Sequence, residues 1–142
     1  MARIISIDYG RARCGIAATD TLQIIANGLT TVPTSKLMDF LRDYTSREAV
    51  ECIVVGYPRQ ADYSDSENMR YVNAFVKQLH RQMPDMKIEL YDERFTSVLA
   101  HRTMIDAGIG RMARRNKALV DEISATIILQ SYLESKKYNT RP

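Results

Sequence analysis

The chain has 142 residues, 45% hydrophobic and 26% charged, with few glycines and prolines; this fits one domain with a single core and excludes an extensively disordered protein. A formal net charge of +3 permits a nucleic-acid partner without demanding one, so the placement of the cations matters more than their sum. Cys14 and Cys52 form no C-x-x-C pair, His80 and His101 have no companion at ligand spacing, and no apolar run reaches the ~18 residues of a membrane span; a cytoplasmic protein with reduced core cysteines and no zinc site is expected.

Three β-rich segments come first: residues 3–8 (RIISID), about 14–19 (CGIAAT) and about 23–32 (QIIANGLTTV). Short turn-forming pieces separate them, and Thr19-Asp20-Thr21 suits a tight connection, which predicts an antiparallel meander. Pro33-Thr34-Ser35 signals a helix start, with Leu37, Phe40, Leu41 and Tyr44 at helical spacing. Residues 51–55 (ECIVV), ending at Gly56, read as a strand covered on both faces. The polar loop YPRQADYSDSE leads into a helix bearing Met69, Val72, Phe75, Val76 and Leu79, which Pro84-Asp85 ends. Residues 87–91 (KIELY) form the next strand and run into Asp92-Glu93-Arg94. Thr96 or Ser97 can cap a helix stopped by Gly108; the loop GIGRMARRNK then precedes a long helix from about Arg115 to Ser135, and KKYNTRP (136–142) reads as a frayed tail. The order of elements predicts one α/β domain over residues 1–142, with a mixed sheet flanked by helices.

Three acids fall at element ends. Asp8 sits at the tip of the apolar run holding Ile4, Ile5 and Ile7, where a carboxylate is costly unless an arginine, a row of N–H groups or a metal ion meets it. Asp92-Glu93 ends the last strand, and ligands gather at the carboxyl ends of strands in α/β sheets. Asp121 shares a stripe of the long helix with Lys117, Ala125, Ile128 and Tyr132, a face made largely of packing residues, and by spacing alone it could simply pair with Lys117. Convergent carboxylates repel unless a divalent cation joins them, and Mg²⁺ takes such oxygen ligands; two ions about 3.5–4 Å apart serve phosphodiester hydrolysis.

Four blocks in order, IDYGRARCGIA, VVGYP, DERFTSVLA and KALVDEISATIILQSYL, resemble the YqgF family, known as Holliday junction resolvases and pre-16S rRNA nucleases, over essentially the whole chain. The resemblance implies a ribonuclease H-like domain: a five-stranded mixed β-sheet, antiparallel N-terminal meander plus parallel strands, flanked by α-helices. It maps the catalytic, metal-binding triad to Asp8, Glu93 and Asp121, with Mg²⁺ or Mn²⁺ as the cofactor. It implies a metal-dependent endonuclease processing the 5′ end of pre-16S rRNA, leaving 5′-phosphate and 3′-hydroxyl ends. Strict alternation along 87–91 groups Glu93 with Glu89 and Tyr91, and Asp92 with Ile88 and Leu90; Glu93 is taken by resemblance, with Asp92 orienting Arg94 or a backbone N–H. Two positions depart from the family pattern: Ala12 stands between Arg11 and Arg13, and no glycine lies between Pro58 and Glu67.

Between Arg94 and Lys117 six lysines or arginines face one acid, Asp106, around a glycine-containing loop. Arg94, Arg111, Arg114, Arg115 and Lys117, with Arg11 and Arg13 beside the first acid, suit a phosphate-binding rim. Tyr57 and Tyr63 could stack on unpaired bases. No serine or cysteine nucleophile scheme is supported. The partner expected is nucleic acid, either pre-rRNA with ribosomal particles or branched DNA, read by backbone and shape, with the protein a monomer or weak dimer. Holliday junction resolution and a non-catalytic nucleic-acid-binding module are the rival readings. An actin-like phosphotransferase needs a second half that this length leaves no room for.

Overall fold

The computed structural model describes residues 2–57, 66–92 and 117–139. Five strands, β1 (Arg3–Asp8), β2 (Arg13–Thr19), β3 (Ala26–Pro33), β4 (Val50–Tyr57) and β5 (Lys87–Asp92), form one sheet in the order β3-β2-β1-β4-β5. β1, β2 and β3 pair antiparallel, whereas β1–β4 and β4–β5 are parallel. The expected meander-plus-parallel mixed sheet is therefore present. A 3₁₀ turn (Thr34–Lys36) leads into α1 (Leu37–Arg47); α2 (Ser66–Gln82) joins β4 to β5, and α3 (Lys117–Asn139) ends the described chain.

β1 lies in the middle of the sheet and buries both faces, which is why it reads as an apolar run. Ile5 and Ile7 join Ile53 and Val55 under Leu41 of α1 and Phe75 and Leu79 of α2. Ile4 and Val54 face the other way, against Ala125, Ile128 and Leu129 of α3. Between them on that second face, the buried Ser6 hydroxyl donates to the Ala125 carbonyl at 2.5 Å. Both cysteines are buried and free, as expected.

Two boundaries differ from the sequence reading. β3 starts at Ala26 rather than at residue 23, because the Asp20 carboxylate accepts from the backbone N–H groups of Leu22, Ile24 and Ile25 and folds them into a turn. Gln23 sits inside that turn at φ 60°, a left-handed position for a non-glycine residue. The last helix continues to Asn139, past the expected end at Ser135. No helix among the described residues is long and apolar enough to cross a membrane.

One glycine fixes how closely α3 approaches the sheet. A Cβ at Gly15 of β2 would overlap the Asp121 carbonyl group of α3, whereas one at Gly28 of β3 would meet the flexible side chain of Glu122. Backbone cannot yield as a side chain can. Gly15→Ala is expected to cost about 1–3 kcal/mol in urea denaturation, and Gly28→Ala clearly less; equal costs would show that α3 does not rest on Gly15.

Candidate active site at the end of the central strand

Asp8 closes β1 on the same face as Ile4 and Ser6, the face covered by α3. Moving along β1 from Ile4 to Ser6 to Asp8, the α3 residues opposite step back from Ile128 to Ala125, and one further turn gives Asp121. Two strand residues advance about 6.6 Å and four helix residues about 6 Å, so strand and helix stay in step and both carboxylates reach the same edge. The register confirms it independently. Asp8 pairs with Gly15 on β2, and Gly15 is the residue that touches the Asp121 backbone.

Glycine also flanks Asp8 on its other side, since its partner on β4 is Gly56. The row across the sheet reads Thr31, Gly15, Asp8, Gly56, Tyr91. Neither ladder neighbour of Asp8 therefore presents a side chain beside its carboxylate. The sequence carried this signal in the glycines of IDYGRARCG and VVGYP, but only the register says that both bracket the same acid.

Asp121 has a cationic partner. Arg13, on the α3 face of β2, donates from Nε to Asp121 Oδ2 at 2.5 Å, and both side chains are partly exposed. The i, i+4 spacing offered Lys117 for this role; its side chain lies outside the described residues. Arg13 was read from sequence as a phosphate ligand, and its geometry adds the task of holding an acid. A third probe of the cluster is Cys14. Burial pushes its thiol up, hydrogen bonding to Thr34 and Gly10 opposes this, and the charges of Asp8 and Asp121 both push it further up. The two carboxylates thus act on one sulfur.

The loop leaving Asp8 is tied down at several points. Thr34 donates from Oγ1 to the Gly10 carbonyl at 2.7 Å and from its backbone N–H to that of Ala12 at 3.1 Å. Tyr9 stacks on Phe75 of α2, ring centres 5.0 Å apart, and the Arg11 guanidinium lies 5.0 Å over the Tyr71 ring. Arg11 and Arg13, grouped together in the sequence reading, therefore point to opposite sides of the sheet, towards α2 and α3 respectively.

Asp92 ends β5 opposite Tyr57 of β4. Glu93, Arg94, Arg111, Arg114 and Arg115 lie outside the described residues, as does Tyr63, while Lys117 is the first residue of α3. Among the described residues no three Asp, Glu, His or Cys side chains cluster as a metal site. What is present is a pair of acids, Asp8 and Asp121, beside Arg13.

Residues 2–135 match the model of a family described as RuvX: Holliday junction resolvase. A protein of Phocaeicola vulgatus named "Putative pre-16S rRNA nuclease" is 62% identical over 138 residues, covering 97% of this chain and 99% of the relative. A Bacteroides fragilis protein of the same name is 61% identical over 137 residues, covering 96% of this chain and 99% of the relative. Among solved structures, RuvC of T. thermophilus in complex with a Holliday junction substrate aligns with 96% of this chain and 96% of its own, at TM-score 0.57 and 15% identity. That likeness is one of fold, the ribonuclease H-like fold expected from sequence.

The Arg13–Asp121 pair makes a direct prediction. A double-mutant cycle of Arg13→Ala and Asp121→Asn in EDTA, read by urea denaturation, should give a coupling of about 1–2 kcal/mol at low salt, reduced at high salt. Additive single effects would mean that the contact contributes nothing.

Proposed function

The chain belongs to the RuvX family of Holliday junction resolvases, the family its four sequence blocks resemble, and on that premise we propose that it is a divalent-metal-dependent endonuclease acting on precursor 16S rRNA. The observation that carries the proposal is the meeting of Asp8 and Asp121, from opposite ends of the chain, at the carboxyl edge of the central strand. Hydrophobic packing alone would place apolar residues there.

The donor set fits Mg²⁺ or Mn²⁺. It consists of hard carboxylate oxygens, the glycines on either side of Asp8 leave room for an ion and its waters, and a cation already stands against Asp121 in the form of Arg13. Glu93 is the third acid we assign. Glu89 and Tyr91 lie on the α3 face, since the Tyr132 hydroxyl, raised by burial, is raised further by its hydrogen bond to Glu89, and Tyr91 packs against the α3 cluster. Continuing that parity supports Glu93, and the opposite parity falls to Asp92. When bound, the ions lower the pKa of the attacking water and neutralise charge on the scissile phosphate.

The protein's own groups supply position and charge. The β-ladder on both sides of β1 fixes the Asp8 backbone, and Arg13 fixes the Asp121 carboxylate. Arg13 and Arg11 add positive charge on either side of the edge where a phosphate would lie. Cys14 takes no part as a nucleophile, because its raised pKa keeps the thiol protonated near neutral pH. Arg94, Arg111, Arg114, Arg115 and Lys117 complete the phosphate rim in this reading.

The substrate assignment follows the relatives, about three-fifths identical over almost their whole length, whose name specifies pre-16S rRNA. Branched DNA is the second reading, favoured by the description of the family model. The purified protein should cleave a precursor rRNA fragment in Mg²⁺ or Mn²⁺, and Asp8→Asn or Asp121→Asn should lower the rate at least about a hundredfold with the circular dichroism spectrum unchanged. The thermal shift produced by Mn²⁺ should shrink in the same variants. Full activity in either variant ends the metal mechanism, while paired nicking of a four-way junction with no cut in the rRNA precursor selects the second substrate.

A further inference from the structure

We propose that the solvent face of α2 is a second phosphate-binding track, on the side of the sheet opposite α3, which holds a double-helical arm of the nucleic-acid substrate as it leaves the acidic edge. The inference rests on the nuclease reading and extends it to a surface that the sequence reading left unassigned.

α2 buries Val72, Phe75 and Leu79 against the sheet and exposes its other side. Arg70, Lys77 and Arg81 lie on the exposed side at i, i+7 and i+11, within about 40° of one another around the helix. From Arg70 to Gln82 the helix carries no acidic residue. α1, which covers the same side of the sheet, differs in one respect. Its Arg42 and Arg47 are each paired with a carboxylate of their own helix, Asp39 at 3.0 Å and Asp43 at 2.8 Å. Among the described residues no carboxylate engages Arg70, Lys77 or Arg81. Arg81, in the last turn, is favoured by the helix dipole; Arg70, near the start, gains nothing from it. One helix neutralises its cations and its neighbour leaves three in a line.

The line begins at the acidic edge. Arg11, three residues beyond Asp8, stacks on Tyr71, next to Arg70. β4 and β5 are parallel, so α2 must run back from that edge to connect them, and Gln82 at its end accepts from Arg42 of α1 at 3.4 Å. Arg70 to Arg81 therefore leads away from Asp8 for about 16 Å, a length over which one strand of a duplex presents several phosphates. Beyond Tyr71 the exposed face offers Asn73, Lys77, Gln78, His80 and Arg81, all hydrogen-bond donors, with the His80 imidazole as the single ring for an unpaired base to stack on. That chemistry suits the outside of a duplex. A second copy of the same helix is disfavoured by like charge.

The test is the triple variant Arg70→Gln, Lys77→Gln, Arg81→Gln in the full chain, binding a 30-base-pair RNA duplex in EDTA by fluorescence anisotropy across 50–200 mM KCl. Glutamine supports an exposed helix nearly as well as the residues it replaces, and circular dichroism checks the fold. The slope of log affinity against log salt should become shallower by about 2–3, and affinity at low salt should fall at least tenfold. The control pair Arg42→Gln, Arg47→Gln should leave the slope within about 0.5 of wild type, and the Mn²⁺ thermal shift should be unchanged in all variants. Should the triple variant misfold, Arg70→Gln and Lys77→Gln singly should each remove about 0.9 from the slope. An unchanged slope in the variant, or an equal loss in the control pair, overturns the track while leaving the nuclease reading intact. Unchanged duplex binding with lost binding to polyglutamate assigns the face to an acidic protein instead and equally overturns it. A wild-type protein that binds no nucleic acid at all overturns both.

Discussion

The absence of one side chain, at Gly15, decides how the last helix meets the central strands. α3 approaches β2 so closely there that its backbone occupies the space a Cβ would need. Because Gly15 is also the ladder partner of Asp8, this single contact sets the distance between a carboxylate at the first strand's tip and one in the last helix. The rest of the α3 face follows the same register, with Ser6 on the Ala125 carbonyl and Ile4 within the cluster of Ile128 and Leu129. Core packing and the geometry of the candidate site are one set of contacts, so the apolar steps along β1 and α3 index the acids.

Bringing two carboxylates to one edge raises an electrostatic cost, and the fold answers it locally. Arg13 reaches Asp121 from the strand that carries Gly15, one residue pair along from the close approach. At effective dielectric constants near 20, unit charges 4 Å apart interact by about 4 kcal/mol, so among the described residues an edge with two acids and the Arg13 guanidinium is still short of positive charge. The divalent ion of the proposed mechanism is a group that would supply it. The same reasoning explains why Arg11 of the β1–β2 loop and Arg13 at the start of β2 are divided between the two sides of the sheet: Arg13 pairs with Asp121, while Arg11 is anchored on Tyr71.

Much of the fold was legible because its signals are local. Apolar runs marked β1 and β4, helical spacing marked α1 and α2, and turn chemistry separated the meander strands. What escaped depended on contacts between distant residues or on side chains acting as backbone partners. The start of β3 moved because the Asp20 carboxylate takes three N–H groups that a strand would otherwise use. The pairing of Asp121 with Arg13 could not be read from helix periodicity, which sees only neighbours such as Lys117. β5 misled in a further way. By hydrophobicity Ile88 and Leu90 mark its inner face, yet Leu90 is 46% exposed, whereas Glu89 and Tyr91 turn towards α3. Ile88 packs under α1 and α2, but the polar face is also covered, because the buried Tyr132 hydroxyl needs a partner and Glu89 provides it.

That inversion bears on the choice between two adjacent acids. When the alternation of β5 is judged from its apolar residues, Asp92 belongs with the core and Glu93 with solvent. Judged from what each face meets, the face of Glu89 and Tyr91 is the one that carries Asp8, through the row that runs Tyr91, Gly56, Asp8. Continued by alternation, that face is the one shared with Asp8, and the other face is the one covered by α1 and α2. The parity of β5 and the family resemblance are thus two separate supports for Glu93 as the third acid we propose. Asp8 and Asp121 are carried on rigid elements in fixed register, so in the mechanism we propose a substrate phosphate must come to them, and the exposed cations on both sides of the sheet are the means proposed for bringing it.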